Sequence, residues 1–147
     1  MKKSMVVLAL VLVTGFTSIF AAPKDGINVN VTSSFQRDFN NAKEVKWENG
    51  KAFIKATFRL NDQITFAYYS TSGDLLAVSR NILSSQLPIN QLVSLNKNYS
   101  GYWITDLFEM NAESLTSYYV TVENADVKVV LKSTANGWEI YNKQAKQ

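Results

Sequence analysis

From Val45 onward the chain sets apolar against polar residues in short alternating runs separated by turn residues. Val45 and Trp47 stand among Glu44, Lys46 and Glu48, and the hairpin-turn dipeptide Asn49-Gly50 follows. Ala52, Ile54, Ala56, Phe58 and Leu60 then line one face of a strand, with Phe53, Lys55, Thr57 and Arg59 on the other. Asn61-Asp62 turns the chain into Ile64–Tyr69, and Ser72-Gly73 turns it into a fourth strand, Leu75–Arg80. Ahead of this meander the period changes. Phe35, Phe39 and Ala42 fall at i, i+4 and i+7, one face of a short helix, and Ser33-x-x-Gln36 fits a capping box that would open it. Further upstream Ile27, Val29 and Val31 alternate, which suits a short edge strand.

A similar order recurs in the second half. Ile82–Gln86 is a connector, and Pro88 is placed for a first helical turn, where its missing donor costs nothing. Ile89, Leu92, Val93 and Tyr99 mark a helix that runs to Asn98 and stops at Gly101. Tyr102–Met110, Ser117–Glu123, Val127–Lys132 and Trp138–Tyr141 read as strands, with Asn111–Ser114 as a turn and Lys143–Gln147 expected to fray. Ile64–Thr71 matches Val127–Thr134 at an offset of 63, and Phe39 precedes Trp47 by the same eight residues as Leu95 precedes Trp103. A period of roughly 60 is too long for a solenoid. The expectation is an α+β fold: two tandem helix-plus-four-strand repeats, residues 33–81 and 88–142, forming an antiparallel sheet with both helices on one face. Trp47 and Trp103, at repeated positions, are expected to pack in the core.

Overlaying the halves assigns the faces. Ile54, Ala56, Phe58, Ile64, Phe66, Tyr68, Leu76 and Val78 are expected under the helices, with Tyr118, Val120, Val122, Val127, Val129, Leu131 and Ile140. The opposite face would carry Phe53, Lys55, Thr57, Arg59, Thr65, Tyr69, Tyr119, Thr121, Lys128, Lys132, Glu139 and Tyr141. Two short helices cannot cover both faces of an eight-stranded sheet, so one face stays wet. Aromatic rings among lysines and arginines match the composition of protein interfaces, where Tyr and Arg carry much of the energy. Phe53, Lys55, Arg59, Tyr69, Tyr119, Lys128 and Tyr141 are therefore the candidate partner-binding residues. The same rings also suit cross-strand pairs that stabilise the sheet itself.

Composition narrows the chemistry. Lys2-Lys3, the apolar run Met5–Val13 and the small residues Ala21-Ala22 have the order of a secretory signal, residues 1–22, cut after Ala21 or Ala22. An uncleaved anchor is the alternative. Residues 23–147 are expected to form a single domain, with 13 basic residues against 12 acids. There is no basic block, so no nucleic-acid partner is expected. The chain has no cysteine and no histidine, which removes disulfides, Cys/His zinc sites, Ser-His-Asp triads and Cys-His pairs. Ser94-Leu95-Asn96-Lys97 matches a Ser-x-x-Lys pattern but lies late in its helix, and Asp106 and Glu109 should point to opposite faces of a strand. Asp62, Asp74 and Asp126 stand singly at turns. No catalytic residue, cofactor or metal is expected.

Phe35-x-x-x-Phe39-Asn40-Asn41-Ala42-x-x-Val45-x-Trp47, together with Ala56-Thr57-Phe58, Phe66–Tyr69, Gly73-Asp74-Leu75-Leu76 and Leu87-Pro88, resembles the PepSY-like, beta-lactamase-inhibitor-like secreted proteins of Gram-negative bacteria. The resemblance implies a small exported α+β protein, periplasmic or secreted, without established catalytic residues. The more distant beta-lactamase inhibitor protein grips its enzyme with a concave sheet face and is normally disulfide-bonded; this chain lacks cysteine, which weakens transfer of the inhibitory activity. The function expected is a non-enzymatic binding protein, an inhibitor or modulator of an unknown envelope or secreted protein, with no membrane span after signal cleavage. The alternative is a carrier of a small apolar ligand between helices and sheet.

Overall fold

The computed structural model describes residues 26–147; the expected signal segment, residues 1–22, lies outside the described residues. The elements run α1 (Val29–Asp38), β1 (Lys43–Asn49), β2 (Ile54–Leu60), β3 (Gln63–Tyr69), β4 (Leu75–Asn81), a 3-10 turn at Ser84–Gln86, α2 (Ile89–Asn98), β5 (Trp103–Ala112), β6 (Leu115–Glu123), β7 (Val127–Thr134) and β8 (Gly137–Ala145). All eight strands join one antiparallel sheet in chain order.

This architecture overturns the expected α+β fold of two tandem helix-plus-four-strand repeats. Strands hold 52% of the structure, against two helices of ten residues each, so the fold is mostly β. The physical reason lies at the middle of the sheet. β4 bonds directly to β5, from Ala77↔Ala112 to Asn81↔Phe108, and leaves no boundary between halves. The two tryptophans expected to be equivalent are not: Trp47 is 8% exposed and Trp103 52%.

α1 begins earlier than the capping box suggested. Asn28 is the cap, its side chain accepting from Asn30 N–H at 2.9 Å, so Val29 and Val31 belong to the helix and not to an edge strand. Val31 and Phe35, one turn apart, are buried against the sheet. Phe35 is the hub. Its ring lies 5.0 Å from Phe58, 5.1 Å from Trp47, 5.4 Å from Phe39 and 6.4 Å from Tyr69. The Asn28 side chain also donates to Thr71 O at 3.3 Å, tying the helix start to the β3–β4 turn. Gly73 in that turn has φ +101°, and a Cβ there would meet the Asn30 backbone at 2.9 Å, so the turn requires glycine twice over.

α2 covers the other half of the same sheet face. Leu95 packs with Leu87, Leu107, Val120, Val122, Val129 and Leu131, and Trp138 Nε1 donates to Gln91 O at 3.0 Å. β8 runs on to Ala145, and Lys146 N–H donates to Asp126 O at 2.8 Å, so the expected fraying from Lys143 does not occur.

Because Phe35 meets three sheet residues and Phe39, Phe35→Ala should cost about 3–5 kcal/mol of stability, the range for removing a buried ring. Urea unfolding followed by far-UV circular dichroism should show a lower midpoint with an unchanged slope.

Candidate interaction surface

The faces of β3 are decided by one turn. Asn61 and Asp62 both have positive φ, 49° and 63°, the geometry of a two-residue hairpin turn. That turn pairs Leu60 with Gln63, Phe58 with Thr65, Ala56 with Ala67 and Ile54 with Tyr69. Residues directly opposite in an antiparallel pair share a face, so Thr65, Ala67 and Tyr69 join Phe58 beneath α1. Ile64, Phe66 and Tyr68 turn to the open side. The expected assignment of β3 is thus reversed, because a register change by one residue moves every side chain to the other face.

Tyr69 is the candidate that this misplaces. It is 0% exposed, and its hydroxyl donates to Asp38 Oδ2 at 3.1 Å. Burial, aided by that carboxylate, holds the phenol protonated well above the usual tyrosine range. It is a core residue and not part of the open face.

The open face holds a band of rings. Phe53 meets Tyr68 edge-on at 5.5 Å. Phe108 stacks on Tyr119 at 5.0 Å with an interplanar angle of 8°, and Tyr141 meets Tyr119 edge-on at 5.5 Å. Tyr68, Ala77, Phe108, Met110 and Tyr119 form a buried cluster with Phe53, Phe66, Leu76 and Ala112 at its margin. This cluster crosses from β3 to β6 and, among the described residues, has no helix over it. Its burial comes from neighbouring side chains closing over one another along the sheet. Leu76, expected under the helices, joins it at the irregularity where β4 pairs with the end of β3.

Cations rim the band. Lys55 Nζ sits 5.1 Å above the Phe66 ring and 3.1 Å from Glu48 Oε1, and Lys132 Nζ sits 5.9 Å from the Tyr119 ring. Between them lies a cleft of about 160 Å³ lined by Lys55, Phe66, Tyr68, Ser79, Asn81, Asp106 and Phe108. Asn81 Nδ2 donates to Asp106 Oδ1 at 2.9 Å along its edge. Of the candidate residues, Phe53, Lys55, Tyr119 and Tyr141 come together here. Arg59 stands apart, against Glu44 Oε2 at 3.5 Å, and lines a separate polar cleft with Asn40, Asn41 and Asn61. Phe66, Tyr68 and Phe108 belong to the surface but were not among the candidates; reading the two-residue turn as a register constraint would have found the first two.

Lys128 lies in a second cluster at the far end of the face. Its Nζ is 3.6 Å from Glu123 Oε1, while Lys146 Nζ is 2.7 Å from Glu123 Oε2 and 4.9 Å from the exposed Trp103 ring. Glu109, across the sheet from Asp106, pairs instead with Arg80 at 3.2 Å. Among the described residues no three acids gather to hold a metal ion, and no helix is long and apolar enough to cross a membrane.

No protein-family model and no curated protein matches the chain. Solved structures do. A DUF2874 family protein from Bacteroides uniformis matches with a TM-score of 0.71 and 16% identity, over 80% of this chain and 88% of the other. A BLIP-like protein from Bacteroides fragilis matches with a TM-score of 0.67 and 18% identity, over 86% and 88%. A protein from Bacteroides eggerthii assigned provisionally to the periplasm gives 0.71 and 14%, over 80% and 88%. The chain shares the fold of these proteins. One of them is described as BLIP-like, and none is described as PepSY-like.

Lys146, donating at 2.7 Å, holds the Glu123 carboxyl below the usual carboxylate range; partial burial opposes it and the Thr105 hydroxyl, at 3.1 Å, adds to it. A carboxyl with a lowered folded value stabilises the fold above its unfolded value and loses that contribution as pH falls through the folded value. Acid titration should therefore release Lys146 from Trp103. The Trp103 indole resonance should shift with a midpoint below that of an ordinary glutamate, and Glu123→Gln should abolish the shift.

Proposed function

We propose that this chain is an exported, non-enzymatic protein that grips a protein partner with the helix-free face of its sheet. The observation that carries the reading is the ring band Phe53, Phe66, Tyr68, Phe108, Tyr119 and Tyr141, rimmed by Lys55 and Lys132 and covered by no other element among the described residues. Aromatic residues are enriched at protein interfaces, and the rim around them is polar. The shared fold with a BLIP-like protein and with a provisionally periplasmic one supports a binding role outside the cytoplasm. The absence of His and Cys from the whole chain supports a role without catalysis. The carrier alternative needs an apolar slot between helices and sheet. Phe35, Phe39, Phe58 and Trp47 occupy the space beneath α1 with centroids 4.8–5.4 Å apart, which weighs against it.

Immobilised protein should capture a defined band from an envelope extract of its own source. The triple variant K55E/K132E/Y141A should lose that band at least tenfold, while K97E, on the exposed side of α2, should keep it. Equal capture by both variants, with both still folded by circular dichroism, would refute the open face as the binding surface.

A further inference from the structure

The sheet has two edges, β1 and β8, and they differ in whether a second copy can pair with them. β8 offers a second copy no complementary pair of charges. The irregularity that falls at Tyr141 breaks its alternation, so Glu139 shares the open face with Lys132, whereas Lys143 shares the helix-covered face with Val129. Its two charges therefore stand on opposite sides of the sheet.

β1 is different. Its own irregularity lies between Lys43 and Lys46, and from there to Asn49 the register against β2 is unbroken. Gly50 N–H donates to Phe53 O at 3.0 Å in continuation of that register. By alternation Lys46 and Glu48 turn their backbone groups toward β2, and Trp47 and Asn49 turn theirs to the outer edge, where no strand lies among the described residues. The side chains divide the other way. Lys46, opposite Thr57, and Glu48, opposite Lys55, both stand on the open face. Glu48 pairs with Lys55 at 3.1 Å, whereas Lys46 has no ion-pair partner among the described residues.

We infer that β1 pairs antiparallel with β1 of a second copy about a two-fold axis at Trp47. This register sets the outward backbone of Trp47 against its own copy and Asn49 against Val45 of the copy. It also sets Lys46 opposite Glu48 of the copy, twice, on one face, so each free ammonium gains a carboxylate already flanked by Lys55. A register shifted by two residues in its sum faces Lys46 or Glu48 with itself, so of the pairings centred on the unbroken stretch from Lys46 to Glu48 only that on Trp47 is complementary. Opposite charges directly across an antiparallel pair stabilise it and like charges oppose it. The axis stands perpendicular to the sheet, so the two eight-stranded sheets join with both open faces on the same side, an isologous arrangement.

Sedimentation equilibrium tests this. The wild-type mass should rise from monomer toward dimer with concentration. K46E sets carboxylate against carboxylate across the axis, and E48K sets ammonium against ammonium. Each variant should stay monomeric, and an equimolar mixture should restore the dimer because each supplies the other's missing sign. N49P removes an outward donor without touching the β1–β2 ladder and should also be monomeric, with a urea midpoint equal to that of the wild type at concentrations where the wild type is itself monomeric. A wild type that remains monomeric to the order of 1 mM, a weak limit for specific association, would overturn the inference. So would a dimer that survives K46E and N49P.

Discussion

The register of the β2–β3 hairpin decides the character of both faces of this protein. Two residues, Asn61 and Asp62, take left-handed backbone conformations and join Leu60 to Gln63 without slack. Side chains alternate with period two, so this single constraint sends Tyr69 beneath α1 and Phe66 and Tyr68 to the open side. The β5–β6 hairpin is built the same way. Glu113 and Ser114 have φ of 50° and 65°, and Ala112 is joined to Leu115. From that register Phe108 faces Tyr119 while Leu107 and Val120 go under α2. Two short turns thus gather the rings of the open face from both ends of the chain.

The β4–β5 pairing then makes those rings one cluster. Ser79 opposes Met110 and Asn81 opposes Phe108, so open-face side chains from the first four strands meet those of the last four without a gap. The sheet consequently has two helix-covered cores, one per helix, and a third on the other face that spans the junction. The third core explains why a division into repeats fails physically. Separating the strands at that point would expose Tyr68, Ala77, Phe108, Met110 and Tyr119 together, and apolar burial is the main favourable term holding a disulfide-free chain of this size folded.

Much of the fold was legible. Alternation and turn dipeptides placed all eight strands and both helices, because those signals are local. What escaped depended on distant partners. The start of α1 at Asn28 was hidden because Ile27, Val29 and Val31 also alternate like a strand, and only the sheet beneath Val31 decides between the two. Trp103 mirrors Trp47 in spacing but not in burial, since Trp47 has Phe35 above it and Trp103 has Lys146. In the candidate surface, β2 and β6 were assigned to the right faces by their own alternation, whereas β3 was reversed because its faces were inferred from overlaying the halves and not from the turn that precedes it. Tyr69 was lost from the surface and Phe66 and Tyr68 gained for that one reason.

The burial of the open-face rings also shapes how such a surface would bind. Tyr68, Phe108 and Tyr119 are each less than 9% exposed before any partner arrives. They have little area left to bury and little side-chain entropy left to lose, so they act as a rigid floor. Energy from association must come from what remains exposed: Tyr141 at 39%, Trp103 at 52% and Ile64 at 43%, with the lysines around them. These residues lie toward the margins, on β8, at the start of β5 and at the start of β3. A partner that touched only the centre would gain little, whereas one broad enough to reach the margins would bury three large apolar side chains on a platform ordered in advance. For the binding role proposed above, breadth is therefore the property that this geometry would select in a partner.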